Sequence, residues 1–395
     1  MIRFSLLCLF LWTAMPTAPP PWGFFGHRRI NRLATFTLPP EMMPLFRANI
    51  DYLAEHAVDP DKRRYASKHE AIRHYIDLDR WGTLPFDDLP RYYTDALMKY
   101  ATVEVVGYRG DTVSWRQDTV IGDRVLLTSE AQTIDVADTS YRQLWLRSVL
   151  PALRADESNI PPDSLLAVGF PGPIKKAVVT DHFSAGGILP YHLAAYHRQL
   201  TQAFVDEDAP RILRLAAEIG HYVGDAHVPL HTTENYNGQL TGQTGIHAFW
   251  ESRLPELFAD GEYDYFVGGA EYIQTPVTYY WDIVLESHAL VDSVLTTERR
   301  LRERFPADQQ FCYEERLGRQ VRTQCTEFSR AWSEAMNGMV EDRFRAAIRS
   351  VGSVWYSCWV DAGQPDLSEL SGGPLSHPTD SLPVLQTSPD SRAHE

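Results

Sequence analysis

Cysteine is scarce in this chain, with four among 395 residues, and none sits in a CxxC pair, which argues against a thiolate zinc site. Positive charge is also in short supply. Lys and Arg number 37 against 52 Asp and Glu, for a formal net charge of -15, and no block of basic residues occurs. That excludes a protein whose affinity comes from a broad basic face laid on a polyphosphate, and no stable nucleic-acid complex is expected. It leaves room for phosphate chemistry at a locally positive site. No repeat of solenoid period is present. Long apolar runs are missing as well: the stretch FSLLCLFLW near the start is about ten residues, where a membrane span needs ~20. With Arg3 ahead of it and small and proline residues behind, MIRFSLLCLFLWTAMPTAPP reads as a secretory signal over residues 1–21. The expectation is an exported protein, secreted or periplasmic, with no transmembrane segment.

What is present is ample material for a core, 44% hydrophobic and 12% aromatic. Apolar residues recur at helical spacing through 30–38, 42–53, 190–204, 209–227, 278–305 and 316–351. Asp208 suits the N-cap of the 209–227 helix, with Pro210 in its first turn and Pro229 closing it. From about 102 to 136 the text changes to alternating β-branched and polar residues, VEVVGYRGDTVSWRQDTVIGDRVLLTSEAQTIDV, a small insertion with strands. The predicted architecture is mostly α, a single multi-helix domain over 22–360 with a strand-containing insertion near 100–180. A Ser-, Pro- and Gly-rich tail, 361–395, is expected to be disordered. Of the cysteines beyond the signal, Cys312 and Cys325 are the pair nearer in sequence for a disulfide; spacing alone does not fix the pairing.

Chemistry concentrates in HYVGDAHVPLH, residues 221–231. His221 and Asp225 are four apart and project from one helix face, one turn above the other. An isolated pair of this kind is more often a surface hydrogen bond than a metal site. Repetition changes that weighting. His231 follows past Pro229, and His247 with Glu251 in HAFWE repeats the imidazole–carboxylate pair. Upstream stand His27 in WGFFGH, Asp59 in AVDPDKR and His74 in RHYIDLD. Imidazole and carboxylate without thiolate is the donor set of catalytic zinc.

The order Trp-x4-His, Asp-x14-His, His-x3-Asp-x5-His, His-x3-Asp/Glu resembles the superfamily of zinc-dependent phospholipases C and single-strand-specific nucleases, over residues 22–257. The resemblance implies three zinc ions in one cleft between helices. Asp59, His74, His221 and Asp225 would hold the first, and His231, His247 and Glu251 the second. His27, a bridging Asp225 and the amino nitrogen and carbonyl oxygen of Trp22 would hold the third. It also implies that Asp59 orients or deprotonates the attacking water. Tyr75 and Asp77 fall at positions that meet a base in the nuclease branch. Lys62, three residues after Asp59, stands where the nucleases carry an arginine, and Arg63 is a possible substitute. Asn235, with Tyr236 and Asn237, falls at the cleft mouth. Histidines 56, 69, 182, 192, 197, 227 and 288 match no ligand position.

The expected function is hydrolysis of phosphate diesters by metal-activated water. Glu251 points to the phospholipase C branch and a phospholipid head group. The alternatives are a single-strand nuclease of the same superfamily and a non-catalytic zinc protein, for which this donor set is a poor match.

Overall fold

The computed structural model describes residues 23–64, 67–155, 157–316 and 318–370. Its centre is the helix Ala209–Ala226, in which Leu215 to Ala226 are buried without a break. A helix apolar on every side belongs inside a core, and three others surround this one: Phe24–Ala34, Leu189–Val205 and Met339–Asp361. The Asp208 side chain caps it by accepting the Arg211 N–H at 3.1 Å, and Pro210 sits in the first turn, where its missing N–H costs nothing.

Close approach to this helix is made possible by Gly220 and Gly224, one turn apart. A Cβ on Gly220 would lie 2.1 Å from Asn31 Oδ1, and one on Gly224 would lie 2.9 Å from His27 Nδ1. Asn31, fully buried, uses the space to donate to the carbonyls of Ala217 (2.9 Å) and Leu53 (3.0 Å), so that Phe24–Ala34 is stitched against its neighbours.

The mostly-α expectation holds, and strands occupy the region where the alternation was read. They are β1 (Thr102–Gly107), β2 (Thr112–Ile121), β3 (Arg124–Thr128), β4 (Thr133–Ala137), β5 (Asn159–Ile160) and β6 (Ile174–Thr180). They form one antiparallel sheet in the order β4-β3-β2-β1-β6-β5, with Val103 opposite Trp115 and Val179. Val103, Val105, Trp115, Val125, Leu127, Ala177 and Val179 are buried and belong to the main apolar cluster, so the sheet shares the helices' core.

Elsewhere the helical reading needs correction. The 316–351 segment is not one helix: β7 (Phe311–Arg316) and β8 (Arg319–Gln324) form a hairpin turning at Gly318, whose φ is +74°. Helices Thr326–Ala335 and Met339–Asp361 follow, broken by Asn337 and Gly338 at positive φ. The Cys312–Cys325 disulfide closes the hairpin, and Cys358 is buried and unpaired in thiol form. The 278–305 segment is two helices, Pro276–Ala289 and Val291–Arg304. Upstream, the first helix runs Phe24–Ala34 rather than 30–38, and the 42–53 region is broken into Met43–Phe46 and Ile50–Glu55. The tail is ordered further than its composition suggests, because Leu367 is only 1% exposed and the Trp359 indole donates to the Pro365 carbonyl at 2.9 Å. Residues 371–395, like Trp22 and residues 1–21, where a signal was expected, lie outside the described residues. Among those described, no helix is long and apolar enough to cross a membrane.

Candidate metal centre

His221 and Asp225 occupy the last turns of the central helix, both buried. His74 reaches them from the bend that follows the helix Lys68–Ala71, its N–H bonded to the Ala71 carbonyl at 3.3 Å. His74 Nδ1 lies 3.0 Å from both Asp225 Oδ2 and His221 Nε2, and His221 Nε2 lies 3.3 Å from Asp225 Oδ2. The fourth donor is a carboxylate from the short helix Asp59–Arg64, and it is Asp61: its Oδ1 is 3.8 Å from His221 Nε2 and 3.9 Å from His74 Nδ1. Four donors bound at about 2.0–2.2 Å to one tetrahedral ion stand roughly 3.3–3.6 Å apart. The observed separations bracket that figure.

The expectation for Asp59 is therefore corrected. Its carboxylate accepts from His56 Nδ1 at 2.5 Å and Lys62 Nζ at 2.7 Å, on the outer side of the helix. Burial works to raise its pKa, but these two partners outweigh burial and hold it below the usual carboxylate range. Residues two apart on a helix point about 200° away from each other. In Asp59-Pro60-Asp61 only one carboxylate can face inward, and the ligand spacing to His74 becomes Asp-x12-His. The inward face also carries Arg64, buried, with Nη1 3.3 Å from Asp61 Oδ1. Lys62 is on the outer face with Asp59.

The second group is His231, His247 and Glu251. Glu251 Oε2 is 2.7 Å from His247 Nε2 and 3.3 Å from His231 Nε2. In each histidine the other nitrogen meets a backbone carbonyl: His231 Nδ1 that of His74 at 2.5 Å, His247 Nδ1 that of Tyr236 at 3.2 Å. Donation from Nδ1 leaves the Nε2 lone pair for a cation, the usual second contact of a metal-binding imidazole. Glu251 lies in a widened helical turn, Phe249–Arg253, with i→i+5 bonding. Pro255 explains it, having no N–H for the Glu251 carbonyl four residues back and a ring that collides with it. The other widened turn, Trp145–Val149, likewise stands four residues ahead of a proline, Pro151.

A third group joins the first two. His27 Nε2 is 3.4 Å from Asp225 Oδ1 and 3.6 Å from Glu251 Oε1. Asp225 thus presents Oδ2 to the first group and Oδ1 to the third, while Glu251 presents Oε2 to the second and Oε1 to the third. The ligand atoms of His74, His221 and Asp225, of His231, His247 and Glu251, and of His27, Asp225 and Glu251 fall within 4.8 Å of one another in each set, and Asp61 falls in such a set with His221 and His27. Gly23 lies against Glu251, with its Cβ direction 2.9 Å from Oε1; Trp22, expected here, is outside the described residues. A mostly apolar pocket adjoins His27 and Glu251, walled by Ile30, Trp250, Val340 and Phe344 among others.

Burying three carboxylates with neutral rings around them is costly. Without a cation the rings must answer that cost. Burial pulls His221 down, yet Asp225 and Asp61 outweigh it and raise it to about 9. His231 is raised by Asp225 and Glu251 against its burial, whereas burial prevails in His74 and His247 and lowers both. Burial would raise Asp225 and Glu251 too, but the facing histidines hold both well below the ordinary range. A donor set of this composition and spacing fits divalent cations.

The remaining expected site residues do other things. Arg63 is not a free cation: Nη1 is 2.9 Å from Glu218 Oε1, and Nε is 3.7 Å from Glu70 Oε2. Burial works to lower its pKa, but Glu218 first and then Glu70 hold it above its ordinary value. Glu218 is one turn before His221, and Glu70 is four residues before His74, so Arg63 ties the Asp61 helix to the two segments bearing the first group's histidines. Tyr222 and Tyr196 donate to Glu70 and Glu218 from the other side. Asp77 is 1% exposed, with its N–H on the Gly186 carbonyl at 2.7 Å, which places it in the wall. Tyr75 is half-buried and donates to the Ala185 carbonyl at 3.3 Å. Asn235 is turned into its own loop, donating to Thr241 Oγ1 at 3.1 Å and accepting from Leu240 N–H at 2.8 Å. That loop has a task. Asp79 anchors its start through Thr233 Oγ1 (2.6 Å) and the Glu234 N–H (2.9 Å), Asn237 accepts from Gly245 N–H at 2.9 Å, and between them Tyr236 offers the carbonyl that orients His247.

Residues that the motif spacing passed over are Asp61, Arg64, Gly220, Gly224 and Arg253. For the first two a signal existed, since Arg64 stands three residues after Asp61. No protein-family model matches the chain, and no curated protein matches it either.

Proposed function

We propose that the chain is an exported, zinc-dependent hydrolase of phosphate diesters, of the kind its motifs resemble. The observation that carries this reading is the sharing of Asp225 and Glu251, each offering its two oxygens to different groups. Carboxylates arranged so suit several closely spaced cations, which structural zinc sites rarely need. Zinc bound there would supply water activated near neutral pH and positive charge for the phosphate oxygens.

The chain's own residues divide the remaining work. His74, His221, Asp61 and Asp225 hold the first position, His231, His247 and Glu251 the second, and His27 with the shared oxygens the third, together with the Trp22 terminus if processing frees it. Asp61 takes the role expected of Asp59, accepting a proton from or orienting the attacking water. Three divalent ions against three carboxylates leave roughly +3 locally, which draws a phosphate diester into a chain of net charge -15.

Two features bear on the substrate. Glu251 favours the phospholipase C branch and a phospholipid head group, the first reading. Arg64 beside Asp61 favours the single-strand nuclease branch, because it restores the arginine that Lys62 seemed to replace. The deciding experiment is turnover of zinc-reconstituted protein on a phosphorylcholine diester and on single-stranded DNA and RNA. Cleavage of the diester alone supports the first reading and of nucleic acid alone the second. A fully zinc-loaded protein that cleaves neither rules out hydrolysis of both substrate classes.

A further inference from the structure

The turn that carries Glu251 is a soft support for a ligand. Its backbone bonds are the longer i→i+5 kind, and Pro255 withholds one donor. At the end of that turn Arg253 is buried, and the hydrogen bonds of its guanidinium go to one partner, the β7–β8 hairpin. It pairs with both oxygens of Glu314, Nη1 to Oε2 at 3.0 Å and Nη2 to Oε1, and it reaches the Gln324 carbonyl from Nε at 3.1 Å and from Nη2 at 2.9 Å. A guanidinium held at both ends of its fork is fixed in plane and direction, which a lysine could not reproduce. The hairpin is itself closed by the disulfide at Cys312 and Cys325, whose Cα atoms are 5.0 Å apart. Cys325 packs in the same apolar cluster as Phe249, Trp250 and Leu254.

We infer that Arg253 is a positioning residue for the second cation group and that the disulfide-closed hairpin is the frame it is bolted to. The covalent loop fixes Glu314 and Gln324, these fix Arg253, and Arg253 holds the widened turn so that Glu251 Oε2 stays within reach of His231 and His247. His221 and Asp225 of the first group lie on the central helix of the other apolar cluster, and none of the group's four residues bonds to the hairpin among the described residues. The frame therefore acts on the second group, and on the third only through Glu251 Oε1. Reduction of one disulfide would loosen one end of the cation cluster and spare the other. The inference rests on the metal-binding reading of the cluster.

The test uses the full chain reconstituted with zinc, as wild type, as Arg253→Lys and as the Cys312→Ser/Cys325→Ser double variant. Zinc is titrated against a competing chelator, and amide hydrogen exchange is read on the zinc-free proteins. In both variants the ion of His231, His247 and Glu251 should weaken by about 10- to 100-fold, the range for losing a group that orients a metal ligand, with the first ion unchanged. Exchange should rise across 247–254 and stay unchanged across 209–226. In a His247→Ala background Arg253→Lys should leave the first ion unchanged. Unchanged second-ion affinity overturns the inference, and so does a parallel loss of every ion with exchange rising throughout, the mark of general destabilisation. If the wild type takes up no zinc, the metal reading fails, and the exchange pattern still decides whether the hairpin frames this turn.

Discussion

The two ends of the cation cluster are built by opposite means. The first group grows from the most deeply buried helix of the molecule, where His221 and Asp225 need only a partner helix able to come close, and Gly220 and Gly224 allow it. Its short helix Asp59–Arg64 is tied in by Arg63 through Glu218 and Glu70. The second group stands on brief, irregular pieces: a 3-10 turn with His231, three helical residues with His247, and a widened turn with Glu251. It lies by a smaller apolar cluster, and its support is a covalently closed hairpin and a loop anchored at Asp79. The difference teaches that ligand geometry can come from the stiffness of a long packed helix or be imposed from outside on weak elements by hydrogen-bonded arginines.

The largest effect should come from setting the two neighbouring aspartates against each other. Asp61→Asn should remove the first ion and lower turnover on the order of 10³-fold, as for the loss of a principal electrostatic group, while Asp59→Asn should keep full zinc content. Metal analysis and kinetics on both variants check it, and equal losses would return Asp59 to the ligand set.

Proton competition should separate the two ends next. His221 has a folded pKa raised to about 9 from 6.5. Its protonated form contributes stability to the cation-free protein that is complete below about 6.5 and is lost as the pH rises through about 9. Zinc requires the neutral ring, so first-ion affinity should gain about tenfold per pH unit up to about 9 and then level off. At the second end His247 is lowered, chiefly by burial, but His231 is raised by Asp225 and Glu251 against its burial, so protons compete there at His231, whose rise is less than that of His221, and the levelling-off should come at a lower pH. Zinc titrations at several pH values, repeated in His247→Ala, compare the slopes.

Arg63→Met should cost about 2 kcal/mol of stability, less than for a fully buried pair because a third of the side chain is open to water, and should weaken the first ion ahead of the second. Denaturant unfolding of zinc-free protein measures the first part, and chelator titration the second. Smallest of all, Lys62→Ala should change stability by no more than about 0.5 kcal/mol and leave zinc content intact, since Lys62 is exposed and bonded only to Asp59 among the contacts described.

Much of the site was legible in the one-dimensional text. The i,i+4 pairs His221/Asp225 and His247/Glu251, with His231 between them, come together in the structure because helical periodicity fixes which side chains share a face. The same rule could not choose between Asp59 and Asp61, which sit in one short helix with no long apolar stripe to mark its inner side. Arg63, Asp77 and Asn235 were read as substrate contacts because spacing shows proximity to ligands but not direction. All three point into the protein or their own loop. The hairpin at 311–324 was hidden in a charged segment whose helical and strand spacings both fit, and its disulfide could be guessed only as the nearer pair.

The sequence by itself determined the composition of the donor set, the central helix with its Asp208 cap and Pro210 start, and the mainly helical architecture. These follow from side-chain chemistry and local periodicity. Only the tertiary structure decided which aspartate faces inward, which carboxylates are shared between groups, and which arginines hold ligands in place. Those outcomes depend on distances between segments far apart in the chain, such as those of Asp61 and His221 or His27 and Glu251, and such distances are set by packing around the core, where no local pattern records them.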